Sequence, residues 1–358
     1  MIEGHGNDLY RYGDKVKSDF SSNVAARRVP DALLAFLATQ LETIATYPEP
    51  DSETLRNALG SRLHVDANQV FVANGSVEAF YTIAAAFRQS RSLVLIPSFA
   101  EYEDACRMHD HTIFYKSNEQ LCEAGIVCPQ LVWLGNPNNP DGRLYAAKEI
   151  EEQLLQNPDT VFVVDEAYGE LCSGFESVID LVNRFDNLIV VHSMTKQYVL
   201  PGLRLGYMVT SRSLAARLRS FSVPWAVNAL AQKVGVYLIN NEELYFRNKE
   251  NTLRRSIELQ KRFSALPGIT VIPSPCNFFL LRTDGLEASV VKEKLLNDFG
   301  LLVRDASNFR GLDNHSIRIS VQTEEENEKL FIAMEKMIGI RNQKSGSKSQ
   351  DKSLTINN

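Results

Sequence analysis

Five short apolar runs of strand-forming residues recur through the middle of the chain: Val70-Phe71-Val72-Ala73, Leu93-Val94-Leu95-Ile96, Leu131-Val132-Trp133-Leu134, Val161-Phe162-Val163-Val164 and Leu188-Ile189-Val190-Val191. Between them lie stretches with helical periodicity. Runs that are continuously apolar, rather than alternating, mark strands buried on both faces, and interspersed helices supply the covering layers. The expected fold class is α/β, with a mostly parallel central sheet between helices.

Ligands in such sheets collect beyond the carboxyl ends of the strands. The polar clusters of this chain fall at those ends: Gly75-Ser76-Val77, Ser98-Phe99, Gly135 to Pro140, Asp165-Glu166-Ala167-Tyr168 and Ser193 to Lys196. Lys196 sits between two buried strand candidates, with Ser193 and Thr195 just before it and Arg204 eight residues on. A lysine amine titrates near about 10.4 and is a poor nucleophile at neutral pH unless burial or a nearby cation favours its neutral form. Arg204 is a candidate for that cation and for a planar grip on a phosphate. The pattern suits a Schiff-base lysine beside an anchored phosphate, as pyridoxal phosphate requires. Taken alone, Lys196 is equally a surface lysine on a helix-capping loop, and distant stretches decide between the two.

Asp165 follows Phe162-Val163-Val164, where an unpaired charge is expensive. Its role is either to hold the proton of a pyridine nitrogen or to cap the next helix. Asn139 and Tyr168 are candidates for a ring hydroxyl, with turn chemistry and packing as their alternatives, and Phe99 either stacks on a ring or belongs to the core. The Gly75-Ser76-Val77 turn into a helix offers free N–H groups to an anion, or is an ordinary turn. The alternating strand Ile317-Arg318-Ile319-Ser320 sends Arg318 to the face opposite its apolar neighbours, toward either a substrate carboxylate or water.

Four segments are expected. Residues 1–50 form an N-terminal arm and part of a small domain, 51–240 a large domain, 241–340 a linking helix and a smaller α+β domain, and 341–358 a polar disordered tail. A helix is expected from Asp51 to Leu63, capped by Asp51 or Ser52. The net charge of -6 argues against a nucleic-acid binder. No apolar run is long enough to cross a membrane, and five scattered cysteines fit a reducing cytoplasm. No histidine or cysteine spacing suggests a metal site.

The motifs Asn-Gly-Ser-x-Glu, Pro-Asn-Asn-Pro-x-Gly, Asp-Glu-Ala-Tyr, Ser-x-Thr-Lys and Arg318, in that order, make the chain resemble the fold-type-I pyridoxal phosphate enzymes of the class I/II aminotransferase group. The resemblance spans His5 to Ile340. Within the group it is most similar to the threonine-phosphate decarboxylases of cobalamin synthesis, with the histidinol-phosphate aminotransferases as near relatives. His5-Gly6, Thr195 to Tyr207, Pro224 to Ala231 and Asn308 to Asp313 carry that finer likeness.

The resemblance implies that Lys196 forms the Schiff base, Asp165 meets the pyridine nitrogen, and Asn139 and Tyr168 meet the ring hydroxyl. Ser193, Thr195, Arg204 and the Gly75-Ser76-Val77 backbone would hold the cofactor phosphate, with Tyr47 reaching in from the other subunit of a homodimer. Arg318 and Asn23 would hold the carboxylate of a phosphorylated amino acid, and His5 and Arg304 its phosphate. The implied activity is a decarboxylating lyase, the alternative an aminotransferase. The chain departs from the family pattern at Asp141, where threonine is usual, at Ala25-Ala26-Arg27-Arg28, and in a shorter stretch from Ser117 to Gly125.

Overall fold

The computed structural model describes residues 9–24, 29–121, 128–244 and 249–350. Its centre is a seven-stranded sheet in the order Val70–Ala73, Gly206–Thr210, Leu188–Ser193, Val161–Asp165, Leu131–Gly135, Arg91–Ile96, Thr112–Ser117. All pairings are parallel except those of Gly206–Thr210, which runs against both neighbours. The five apolar runs are all strands of this sheet. The residues of Leu131–Gly135 are buried throughout, as a strand covered on both faces requires.

Side chains of alternate parity feed two cores. Val132, Leu134, Phe162, Val164, Leu188 and Val190 pack on one face. Trp133, Val163, Ile189 and Val191 pack on the other, against Phe80 and Tyr102 from the helices Ser76–Ala86 and Ala100–Met108. Burying side chains of this size stabilises the fold by about 1.5–3 kcal/mol each.

A four-stranded antiparallel sheet forms the smaller unit, in the order Arg304–Asp305, Ser316–Ser320, Phe278–Thr283, Ile269–Ile272. Its inner face packs Phe279, Leu281, Ile317 and Ile319 against the helices Lys249–Ser264 and Glu324–Gln350. The N-terminal arm joins this unit, because Ser18–Asp19 pairs in parallel with Leu301–Leu302. Among the described residues no helix is long and apolar enough to cross a membrane.

Two local expectations are corrected. The helix over Glu53–Leu63 has Ser52 at its N-cap position, but Ser52 lies at φ 57° and its side chain caps nothing. Glu49 supplies the carboxylate instead, accepting the Thr54 N–H at 2.7 Å. The closing helix runs to Gln350, ten residues into the segment expected to be disordered. That segment contains no proline to interrupt a helix already started.

Candidate active site

The carboxyl ends of the parallel strands and the polar face of the small sheet enclose a cavity of about 360 Å³, within the range of small-molecule sites. Ser76, Val77, Phe99, Asn139, Asp165, Tyr168, Ser193, Thr195, Lys196 and Arg204 line it from the large unit; Asn23, Arg304 and Arg318 line it from the arm and the small sheet. Of the sequence candidates, Gly75 lies just outside as the residue that opens the Ser76–Ala86 helix, with φ 82°. His5 and the departures at Ala25 to Arg28 fall outside the described residues. Tyr47 does not face this cavity. It is 86 % exposed and leans on Trp225, ring centroids 5.5 Å apart.

Lys196 lies on the single helical turn Met194–Gln197 that follows the strand Leu188–Ser193. Ser193 starts that turn, its hydroxyl 2.8 Å from the Thr195 hydroxyl and accepting the Thr195 N–H at 3.4 Å. The Lys196 ammonium stands 5.7 Å from the centre of the Tyr168 ring. This is a constrained lysine inside a cavity, not a surface lysine of a loop.

Asp165 ends the next strand and both readings of it have substance. Oδ1 accepts the Ala167 N–H at 3.0 Å, a local cap, while Oδ2 accepts the Tyr102 hydroxyl at 2.6 Å. Burial drives the carboxyl above its ordinary range, against the opposing pull of Tyr102, the Ala167 N–H, His192 and Lys196. A carboxylate so short of cationic compensation suits a ligand that brings positive charge. Tyr102 was not legible as a site residue. It lies in the first turn of a helix, and only the packing of Ala100–Met108 on the sheet brings its hydroxyl to Asp165.

At the other end of the lysine turn, Arg204 adopts φ 60° and its Nη1 donates to the Pro201 carbonyl at 3.2 Å. Its Nη2 lies where a side chain on Gly75 would stand: a Cβ there would meet it at 2.5 Å. The missing Cβ lets the guanidinium approach the N-terminus of the Ser76–Ala86 helix, where N–H groups and dipole favour an anion. Hydroxyls of Ser193 and Thr195, the Ser76 end and Arg204 thus form a cradle of phosphate chemistry.

Arg318 is buried on the strand Ser316–Ser320, its side chain turned into the cavity and not to water. It donates to Asn139 Oδ1 and, at 2.7 Å, to the Ser21 carbonyl. Burial pushes its guanidinium down to about 10, so it stays charged at neutral pH. Arg304 is its direct partner in strand register, and donates to Asn308 Oδ1 at 2.7 Å. Asn23 is buried with neither side-chain atom bonded, and Arg318 Nε is likewise without a partner. Such orphaned groups, aimed at a cavity, point to a polar ligand. Asp141 contributes only to the turn: it accepts from Asn138 Nδ2 at 2.7 Å and the Arg143 N–H at 3.1 Å.

The residues present fit pyridoxal phosphate: an amine, a buried carboxylate, an aromatic wall in Phe99 and an anion cradle. Residues 15–333 match the family model described as aminotransferase class I and II. The threonine-phosphate decarboxylase of Salmonella typhimurium is 28% identical, over 89% of this chain and 91% of that protein. The histidinol-phosphate aminotransferase of Thermoanaerobacter pseudethanolicus is 31% identical, over 82% of this chain and 85% of that protein. The crystal structure of L-threonine-O-3-phosphate decarboxylase from Porphyromonas gingivalis superposes with a TM-score of 0.87 at 40% identity, covering 90% of this chain and 99% of that one.

Proposed function

The chain belongs to the class I and II aminotransferase family of pyridoxal phosphate enzymes, and from that premise we propose that it decarboxylates L-threonine O-3-phosphate, giving aminopropanol phosphate for cobalamin synthesis. The observation that carries this reading is the register pair Arg304 and Arg318, two buried guanidiniums on adjacent strands facing one cavity. With Arg204 committed to the cradle beside Gly75, two further cations suit a substrate that carries two anionic groups, a carboxylate and a phosphate. The 40% identity to the Porphyromonas gingivalis decarboxylase supports the same choice.

Bound at this site, the cofactor supplies an electron sink for the bond broken at the substrate's Cα. Lys196 would be the amine that tethers it and an acid or base for the substrate's Cα. Asp165 would hold the proton on its ring nitrogen, Asn139 and Tyr168 would meet its hydroxyl, and Phe99 would cover its face. Ser193, Thr195, Arg204 and the Gly75-Ser76-Val77 backbone would hold its phosphate. Arg318 and Asn23 bind the substrate carboxylate, Arg304 its phosphate. Fixing both ends of the substrate fixes rotation about Cα, and that rotation decides which bond is aligned for cleavage. With the carboxylate bond aligned, CO2 leaves and Cα takes up one proton in its place.

The second reading is transamination of histidinol phosphate, supported by the relative of that name at 31% identity. Histidinol phosphate carries no carboxylate, so only its phosphate would engage the arginines, while the Cα–H bond would be aligned and Lys196 would remove the proton. In either case the working unit is a homodimer. The exposed apolar residues Ile44, Tyr47 and Trp225 support this, standing beside one another on the surface with Tyr47 outside its own chain's cavity. Offering threonine phosphate and histidinol phosphate in turn tests the choice. Aminopropanol phosphate with CO2 from the first supports the decarboxylase, and a single conversion of the second alone to its carbonyl product, with the amino group passed to the cofactor, removes it.

A further inference from the structure

We propose that the ion pair between Arg310 and Glu103 is a latch that positions the Arg304–Asn308–Phe309 wall of the site, and so sets affinity for the substrate's phosphate. Neither residue lines the cavity itself, and the two come from the two units that enclose it. Arg310 belongs to the small unit, in the turn that carries Asn308 and Phe309 into the cavity, and Glu103 lies in the first turn of the large unit's helix Ala100–Met108.

Across this gap the guanidinium makes a two-pronged contact, Nε to Oε2 at 2.9 Å and Nη2 to Oε1 at 2.7 Å. The Glu103 side chain is only 4% exposed and also receives Arg107 at 2.5 Å. Arg310 lies over the Tyr115 ring, 4.3 Å from its centre. Burial pushes the Glu103 carboxyl up, and hydrogen bonds and charge from Arg310, Tyr115 and Arg107 outweigh it, leaving the group below its ordinary value. The carboxylate is therefore charged at neutral pH. Two-pronged arginine pairs fix geometry as well as adding energy.

What the latch fixes is legible from its neighbours. On one side, Glu103 adjoins Tyr102, which holds Asp165, and Phe99 opens the same helix. On the other, Asn308 Oδ1 takes a 2.7 Å bond from Arg304 Nη2, and the Arg304 guanidinium lies 5.3 Å from the Phe309 ring centre. The 308–310 turn is thus tied at one end to the anion-facing arginine and at the other to the helix of the cofactor wall. Release at Arg310 frees the turn and lets Arg304 drift from the substrate. Weakening one charge-assisted hydrogen bond to the phosphate in this way costs about tenfold in affinity.

This role rests on the reading of the substrate as a phosphate ester, and the test separates the two. The cofactor-loaded proteins, wild type, Arg310→Gln, Glu103→Gln, the double variant and Arg310→Lys, are assayed with L-threonine O-phosphate and titrated calorimetrically with inorganic phosphate. The latch requires that Arg310→Gln and Glu103→Gln each raise KM and the phosphate Kd about tenfold, with kcat and cofactor absorbance little changed and the melting temperature lowered but well above the assay temperature. It also requires that the double variant be no worse than either single one, since both break the same contact, and that Arg310→Lys recover part of the loss. A wild type that turns over threonine phosphate while Arg310→Gln matches it in KM and Kd overturns the latch and leaves the substrate reading intact. A wild type that binds inorganic phosphate, loses it in Arg310→Gln, and ignores threonine phosphate overturns the substrate reading and keeps the latch.

Discussion

The Tyr102 hydroxyl donates to Oδ2 of Asp165 at 2.6 Å, with both residues buried. Even with that bond, burial holds the carboxyl above its ordinary range. The folded state therefore binds this proton more tightly than the unfolded state. The stability so contributed is full below the unfolded value, about 3.9, and is lost as pH rises through the raised folded value. Cofactor-free wild type is expected to lose melting temperature across that window relative to Asp165→Asn, which has no such proton to lose. Near pH 7 the cofactor-free variant is expected to be the more stable protein, though it lacks activity. Melting curves of both proteins across pH check this; a variant less stable than wild type at every pH contradicts it.

Gly75→Ala is expected to weaken cofactor binding through Arg204. The new Cβ would stand 2.5 Å from Nη2, and a φ of 82° is strained for any residue with a side chain. The guanidinium must retreat from the cradle, and the strain itself costs about 1–3 kcal/mol. A rise of about tenfold or more in the dissociation constant, read from a pyridoxal phosphate absorbance titration, is expected. Unchanged affinity would place the phosphate elsewhere.

How much of this was legible beforehand depends on what each residue type reports. Runs such as Val161-Phe162-Val163-Val164 announce a doubly covered strand, and the polar residues after them fall at the site because the sheet is parallel. Thr112–Ser117 escaped notice because it is an edge strand with half-exposed, mixed side chains. The choice between a solvated and a site-facing Arg318 was open in the pattern Ile317-Arg318-Ile319. Only long-range packing decided it, through contacts with Asn139 and Ser21 that lie 179 and 297 residues away. Tyr102 and the Arg310–Glu103 pair were hidden for the same reason, since no local spacing encodes a partner in another element.

Arg318→Lys is expected to keep the cofactor and lose the reaction. A lysine cannot reproduce the planar fork that reaches Asn139 and the Ser21 carbonyl together. Truncating one partner of a buried charged contact costs about 2–5 kcal/mol, which corresponds to about thirtyfold or more in kcat/KM. The cofactor absorbance should be that of wild type. A variant retaining full kcat/KM would remove Arg318 from substrate binding.

The exposed pair Tyr47 and Trp225 is expected to lie in the dimer contact. Sedimentation at micromolar concentration should give a dimer for wild type and a monomer for Trp225→Glu, which puts a charge into an apolar contact. Tyr47→Phe should remain a dimer and hold pyridoxal phosphate about tenfold less tightly, the loss of one hydrogen bond. A wild-type monomer with full activity contradicts both.

The measurement that bears most directly on the proposed reaction is the fate of the substrate carboxylate. Purified protein loaded with pyridoxal phosphate is mixed with L-threonine O-phosphate labelled at its carboxyl carbon, and released CO2 is counted against the cofactor's spectrum. Label leaving as CO2 in step with aminopropanol phosphate, with the cofactor unchanged after many turnovers, is the expected result. Label retained in the organic product while the cofactor passes to its amine form would show that these same residues cleave the Cα–H bond instead.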